Sequence, residues 1–251
     1  MTRYPAVAGT FYPSSPLKLK TTVEDFLRKA SPSKPKNKLR AIVVPHAGYI
    51  YSGPTAAYAY KLIPPAKKVF LIGPAHYVPV EKFAFSKEKK WKTPLGEIKL
   101  FQPIENPTYD NEAHTPEHSL EVQLPFLQTT LKDFEICPIL INNKKYSFDL
   151  AKLIKDKIDD DTIIVISSDL SHFHSLEDAN KIDSYANNYI PELNIEKTER
   201  TVEACGVAAI LSIMHLAKEL GWKGELLKYQ TSANTSGDKY NVVGYGSYAF
   251  Y

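Results

Sequence analysis

Short apolar runs recur along the chain, separated by stretches whose apolar residues fall at helical spacing. Three of these runs, 39–46 (LRAIVVPH), 68–76 (KVFLIGPAH) and 162–172 (TIIVISSDLSH), each end in polar residues of the kind that bind metals. Runs that are apolar throughout predict strands buried on both faces, as in a parallel sheet. In an open α/β sheet, ligands bind beyond the carboxyl ends of the strands, so these three ends are expected to converge.

The remaining pattern predicts elements that alternate. A helix is expected over 54–63 (PTAAYAYKLI), because proline suits the first helical position and alanine is the best helix former. A strand over 69–72 and a hairpin over 83–100, turning at Pro94-Leu95-Gly96, follow. The spacing of Leu120, Leu124, Leu127 and Leu131 predicts a helix over 117–131, which Pro125 kinks or restarts. Then come a strand over 134–141, a helix near 148–158, a strand over 163–166 and a helix over 176–189. A helix from about 206 to 220 is stopped by Gly221, and two closing strands, 225–232 and 240–250, are expected to pair antiparallel. This order predicts an α/β fold: a single domain over 1–251 with a mixed central sheet covered by helices on both faces. The segment 31–38 (SPSKPKNK) is read as a surface loop, being too near the N-terminus to separate two cores.

Composition narrows the function classes. With 43% hydrophobic and 24% charged residues, the chain has the makeup of an ordinary globular protein. A net charge of +3 argues against a nucleic-acid partner, and the basic clusters at 34–40 and 87–92 are short. No apolar stretch reaches the roughly 18 residues needed to cross a bilayer, and the N-terminus lacks a signal-peptide core. A cytoplasmic protein without membrane attachment is expected. Only Cys137 and Cys205 are present, and a reducing compartment disfavours a bridge between them. Cys137, inside an apolar strand, is assigned to the core.

The polar residues at the strand ends carry the candidate chemistry. His46 and His76 each follow closely on a proline at a strand end, and glycines beside His46 permit close approach of a ligand. Tyr49 and Tyr51 point to opposite sides if their segment is extended. Glu117 and His118 open the predicted helix, where they serve either a site or merely a helix start. Asp169 and His172 are accompanied by Ser167, Ser168 and Ser171, a polar cluster out of place in a core unless it lines a site. His174 is expected to be peripheral, and His114 and His215 structural or on the surface. Cys205 precedes a helix whose positive end favours thiolate, although a small buried residue is the alternative. Two imidazoles and a thiolate leave a coordination position open and suit iron, copper or zinc. A nearby His172, oriented by Asp169, has the pKa range of a general acid or base.

The segments 3–13 (RYPAVAGTFYP), 45–53 (PHAGYIYSG), 73–76 (GPAH), 117–124 (EHSLEVQL), 167–172 (SSDLSH) and 204–206 (ACG) resemble, in order, the signatures of the Memo family. That resemblance implies a fold similar to class III extradiol dioxygenases. It also implies that His46, His76 and Cys205 form a metal triad and that His172 is the acid-base histidine. Phe11 matches the family's peptide-contacting aromatic position, and Tyr51 a pocket tyrosine. The family suggests partners of the AMMECR1 and radical-SAM types, with an unidentified small molecule or peptide as ligand. The expectation is a metal-dependent oxidoreductase of unknown substrate. The alternatives are a non-catalytic peptide- or anion-binding module, and a redox-sensitive copper- or iron-binding protein.

Overall fold

Along the strand Ala41–Val44 every residue is buried, and alternate side chains enter different cores: Ile42 and Val44 one, Ala41 and Val43 the other. The strands Lys68–Gly73 and Thr162–Ser167 repeat this division, with Val69, Leu71, Ile163 and Val165 on the first face and Phe70, Ile72, Ile164 and Ile166 on the second. A strand that buries both faces has no position left for a polar residue until it ends. That is why the site residues come after the apolar runs.

The computed structural model describes residues 1–33 and 37–251, so the middle of the predicted 31–38 loop, and part of the 34–40 basic cluster, lie outside the described residues. In chain order the elements are β1 (Thr2–Arg3), α1 (Pro16–Lys29), β2 (Ala41–Val44), α2 (Tyr49–Tyr60), β3 (Lys68–Gly73), β4 (Ala84–Phe85), β5 (Lys90–Thr93), β6 (Gly96–Leu100), α3 (Asn111–His114) and α4 (Leu124–Thr130). They continue with β7 (Glu135–Leu140), α5 (Ser147–Lys155), β8 (Thr162–Ser167), β9 (His172–His174), α6 (Leu176–Tyr189), α7 (Ile195–Thr201), α8 (Val207–Leu220), β10 (Gly224–Thr231), α9 (Ala233–Ser236) and β11 (Val242–Phe250). The sheet runs β1-β5-β6-β7-β3-β8-β2-β11-β10, with β4 added beside β7 and β9 beside β11. Strands β6, β7, β3, β8 and β2 are parallel, while β11 and β10 close that side antiparallel. Helices α1, α2 and α4 cover one face, and α5, α6 and α8 the other. This is the expected α/β class with a mixed sheet.

Several boundaries differ from the sequence reading, each for a local reason. Helix α2 begins at Tyr49, before the expected Pro54, so the Tyr49–Tyr51 segment is helical and not extended. Pro54 has no N–H for the Ile50 carbonyl, and Thr235 Oγ1 donates to that oxygen instead at 3.2 Å. The helix expected over 117–131 is shorter: a 3₁₀ turn, Glu121–Gln123, leads into α4, whose first turn holds Pro125. Glu117 and His118 therefore stand on irregular backbone. The four leucines of the predicted stripe are nevertheless all buried. Helix α1 has a signal the periodicity does not reveal, a Ser15 N-cap followed by Pro16. Cys137 lies in the core as expected. No described helix is long and apolar enough to cross a membrane.

Candidate metal centre

Parallel pairing of β2 with β8, and of β8 with β3, brings three carboxyl ends side by side, with Val44 opposite Ser167 and Ile72 opposite Ile166. The chain leaves β2 through Pro45, and the backbone N–H of His46 donates to Asp169 Oδ1 at 2.7 Å. On its ring, Nδ1 lies 2.9 Å from Ser167 Oγ. After β3, Asn142 holds Ala75 through both its backbone groups, at 3.2 and 3.0 Å. Glu117 then receives the backbone N–H of His76 and, at 2.9 Å, faces its Nδ1.

His118 completes the cluster. One ligating atom from each of His46, His76 and His118 can be chosen so that all three lie within 4.8 Å of one another. The ring centroids are 5.3 Å apart for His46 and His76, 5.5 Å for His46 and His118, and 4.7 Å for His76 and His118. Burial, followed by the neighbouring histidines, drives the pKa of His46 well below its ordinary value. Burial likewise lowers His118 to about 4, against the attraction of Glu117. Burial raises the pKa of Glu117, but the bonds from the His76 ring, the His76 N–H and the Ser119 N–H outweigh it and hold the group at about 2. The donor set at neutral pH therefore includes neutral imidazoles beside an ionised carboxylate, which suits a transition-metal ion. The buried Nδ1 of His118 lies 3.3 Å from Glu117 Oε1 but makes no well-formed hydrogen bond among the described residues, so its ring is less firmly held than those of His46 and His76.

Cys205 flanks this cluster. Its Sγ lies 3.4 Å from His46 Nε2 and accepts the Asp169 N–H at 3.3 Å. A Cβ at Gly206 would fall 2.7 Å from both the Ser167 carbonyl oxygen and Ser168 Cβ, so glycine is what lets this loop lie against the end of β8. Cys205 precedes helix α8 as expected, but burial opposes the thiolate that a helix start favours. Burial, with the charge of Asp169 added, pushes the thiol well above its usual pKa.

The other predicted residues occupy several places. Asp169 directs its carboxylate to the His46 backbone, and burial raises its pKa. His172 is half-buried at the start of β9, where its N–H donates to Glu203 Oε1 at 3.1 Å. Phe11 packs on His118 with centroids 4.7 Å apart, and with Tyr51 it borders a cleft of about 460 Å³ between the N-terminal loop and α2. His174 is paired with Glu203 near the surface, and His114 is buried against Trp91.

Sequence reasoning passed over the residues that hold the site's frame. Arg3 donates to Glu121 at 2.7 Å, to the Glu117 carbonyl at 2.7 Å and to the His114 carbonyl at 2.8 Å. Glu121 also receives Ala6 N–H, Val7 N–H and the Tyr12 hydroxyl. Gln123 bonds Pro45 and Ser167. The available signal was the presence of Glu121 and Gln123 inside an otherwise apolar run, where a polar side chain requires a partner.

Comparison with known proteins gives one consistent result. The family model described as "Memo-like protein" matches residues 3–249. A MEMO1 family protein of Sulfolobus acidocaldarius is 38% identical, the match covering 100% of this chain and 99% of the relative. One from Aquifex aeolicus is 39% identical over 97% of both chains, and one from Nitrosopumilus maritimus is 35% identical over 100% of both.

Proposed function

The chain belongs to the Memo family, and from that premise we propose that it is a metal-dependent enzyme, an oxidoreductase by leading expectation, acting on a small molecule or modified peptide. His46, His76 and His118 would hold the ion, with Cys205 as the adjacent thiol donor. Iron, copper and zinc all accept such a nitrogen and sulfur set. When bound, the ion supplies Lewis acidity and, if iron or copper, electron transfer.

The observation that carries this reading is the convergence of His46 and His76, from the ends of β2 and β3, with His118 from the irregular segment before α4. His46 and His76 each have Nδ1 against an oxygen, which leaves Nε2 as the ligating atom. His172, half-buried and near enough for its charge to act on His46, is the group assigned to move a proton to or from a ligand. Asp169 holds the His46 backbone in register, and Glu117 holds the His76 ring. The cleft bordered by Phe11 and Tyr51 is where the organic part of a substrate would lie.

The test is metal content. Protein purified anaerobically without an affinity tag is expected to contain, or to take up on reconstitution, one equivalent of iron, copper or zinc. Absence of stoichiometric uptake of all three would overturn the proposal and leave the alternative of a metal-free peptide- or anion-binding pocket.

A further inference from the structure

Ser167 Oγ has three polar neighbours, and together they use every bond a hydroxyl can make. The Ser119 carbonyl oxygen lies at 2.6 Å, Gln123 Nε2 at 2.8 Å and His46 Nδ1 at 2.9 Å. A hydroxyl has one proton to give and two lone pairs with which to accept. The carbonyl of Ser119 can only accept, so the hydroxyl proton goes there.

The orientation of Gln123 is settled in the same way. One end of its amide faces the Pro45 carbonyl at 2.9 Å, and the other receives the Tyr60 hydroxyl at 2.9 Å. A carbonyl cannot donate, so the end facing Pro45 is the NH₂. Its second N–H is the one directed at Ser167. One lone pair of Ser167 Oγ remains, and it faces His46.

We propose that Ser167 is a positioning residue that fixes His46 as the Nδ1–H tautomer, so that Nε2, the ring atom that faces Cys205, keeps its lone pair free to serve as a metal donor. Gln123 and Tyr60 support it by occupying the only other lone pair. The inference rests on the metal-centre reading for its purpose, although the tautomer itself follows from the hydrogen bonds alone. Two features agree with it. Cys205 Sγ lies at 3.4 Å from Nε2, a place for a thiol proton to meet an unprotonated nitrogen. His76 reaches the same form by another route, its Nδ1 facing the ionised Glu117. Serine thus does for one ligand what glutamate does for the other, without a charge of its own.

The experiment is a long-range ¹⁵N–¹H correlation spectrum of the metal-free full chain labelled at histidine nitrogen, at neutral pH, for the wild type, Ser167→Ala and Ser167→Thr. The wild type is expected to show His46 protonated at Nδ1 and bare at Nε2. Ser167→Ala is expected to move His46 toward the other tautomer and to weaken zinc(II) binding, read by chelator competition, by about 10- to 100-fold. Ser167→Thr, which keeps the oxygen, is expected to restore both. A wild-type His46 protonated at Nε2 would overturn the proposal, and this reading needs no variant to fold. A folded Ser167→Ala with unchanged tautomer would overturn it too. If the wild type shows the expected tautomer yet binds no metal, the metal-centre reading fails while the assignment of Ser167 stands.

Discussion

Glu117 Oε1 lies 2.9 Å from His76 Nδ1, and the same fully buried carboxylate receives the backbone N–H groups of His76 and Ser119. One side chain thereby sets both the path of the loop after β3 and the ring that loop carries. Glu117→Gln keeps the size but loses the charge, and it is expected to reduce zinc(II) affinity about 10- to 100-fold. Chelator competition on the two proteins measures this; equal affinities would show that the ring is held by packing alone.

The same residue contributes to pH stability with a definite sign. Its pKa in the folded protein is about 2, below the ordinary 4.5, so the stabilisation is present above 4.5 and is lost as pH falls toward 2. His114 acts at higher pH. Burial lowers it to about 4 from 6.5, so the unfolded chain binds the extra proton between those values and stability declines as pH falls through that window. His118 has the same sign and the same window. Thermal unfolding of metal-free protein between pH 7.5 and 4.5 is expected to show a falling midpoint, with a limiting slope of about 1.4 kcal/mol per pH unit for each such histidine. A flat profile would contradict the burial argument.

Arg3 and Glu121 form an ion pair at 2.7 Å, with side chains 2% and 0% exposed. Arg3→Ala leaves Glu121 with an uncompensated charge in the interior, and a loss of about 3–5 kcal/mol is expected by denaturant unfolding. Arg3→Lys should recover only part of it, because an ammonium cannot reach Glu121 and the carbonyls of His114 and Glu117 with the geometry of a guanidinium. Full recovery by lysine would mean that charge alone matters here.

Cys205→Ser distinguishes the thiol's role from that of the histidines. Copper(I) affinity is expected to fall at least tenfold, because it prefers soft sulfur, whereas zinc(II) held by three imidazoles should fall less. Gly206→Ala is expected to act indirectly: its Cβ would press on Ser167 and Ser168 and displace the Cys205 loop. Competition titrations of both ions measure these effects, and copper(I) affinity indifferent to Cys205→Ser would exclude a thiolate role.

Much of the architecture was legible because burial on both faces of a parallel strand is written locally, as an unbroken apolar run. Residues 68–76 show it: the run gives β3, and the first side chains able to leave the core, up to His76, come where the strand stops. Helix α6 spans the residues the sequence predicts, 176–189, and the structure adds Ser175 as its N-cap. His118 was harder. Its neighbours predict a helix start, but Pro125 delays the helix to Leu124 and leaves Glu117 and His118 on a turn that faces the other imidazoles.

By itself, the sequence determined which segments form the buried central strands, which residues end them and to which family the whole belongs, because periodicity and motif spacing act over short stretches of chain. Only the tertiary structure decided which polar groups meet. Arg3 finds Glu121 across 118 positions, and Asp169 turns to the backbone of His46 across 123. Those partners are fixed by strand order, with β8 lying between β3 and β2, and a hydrogen bond within 3 Å depends on that order far more than on distance along the chain.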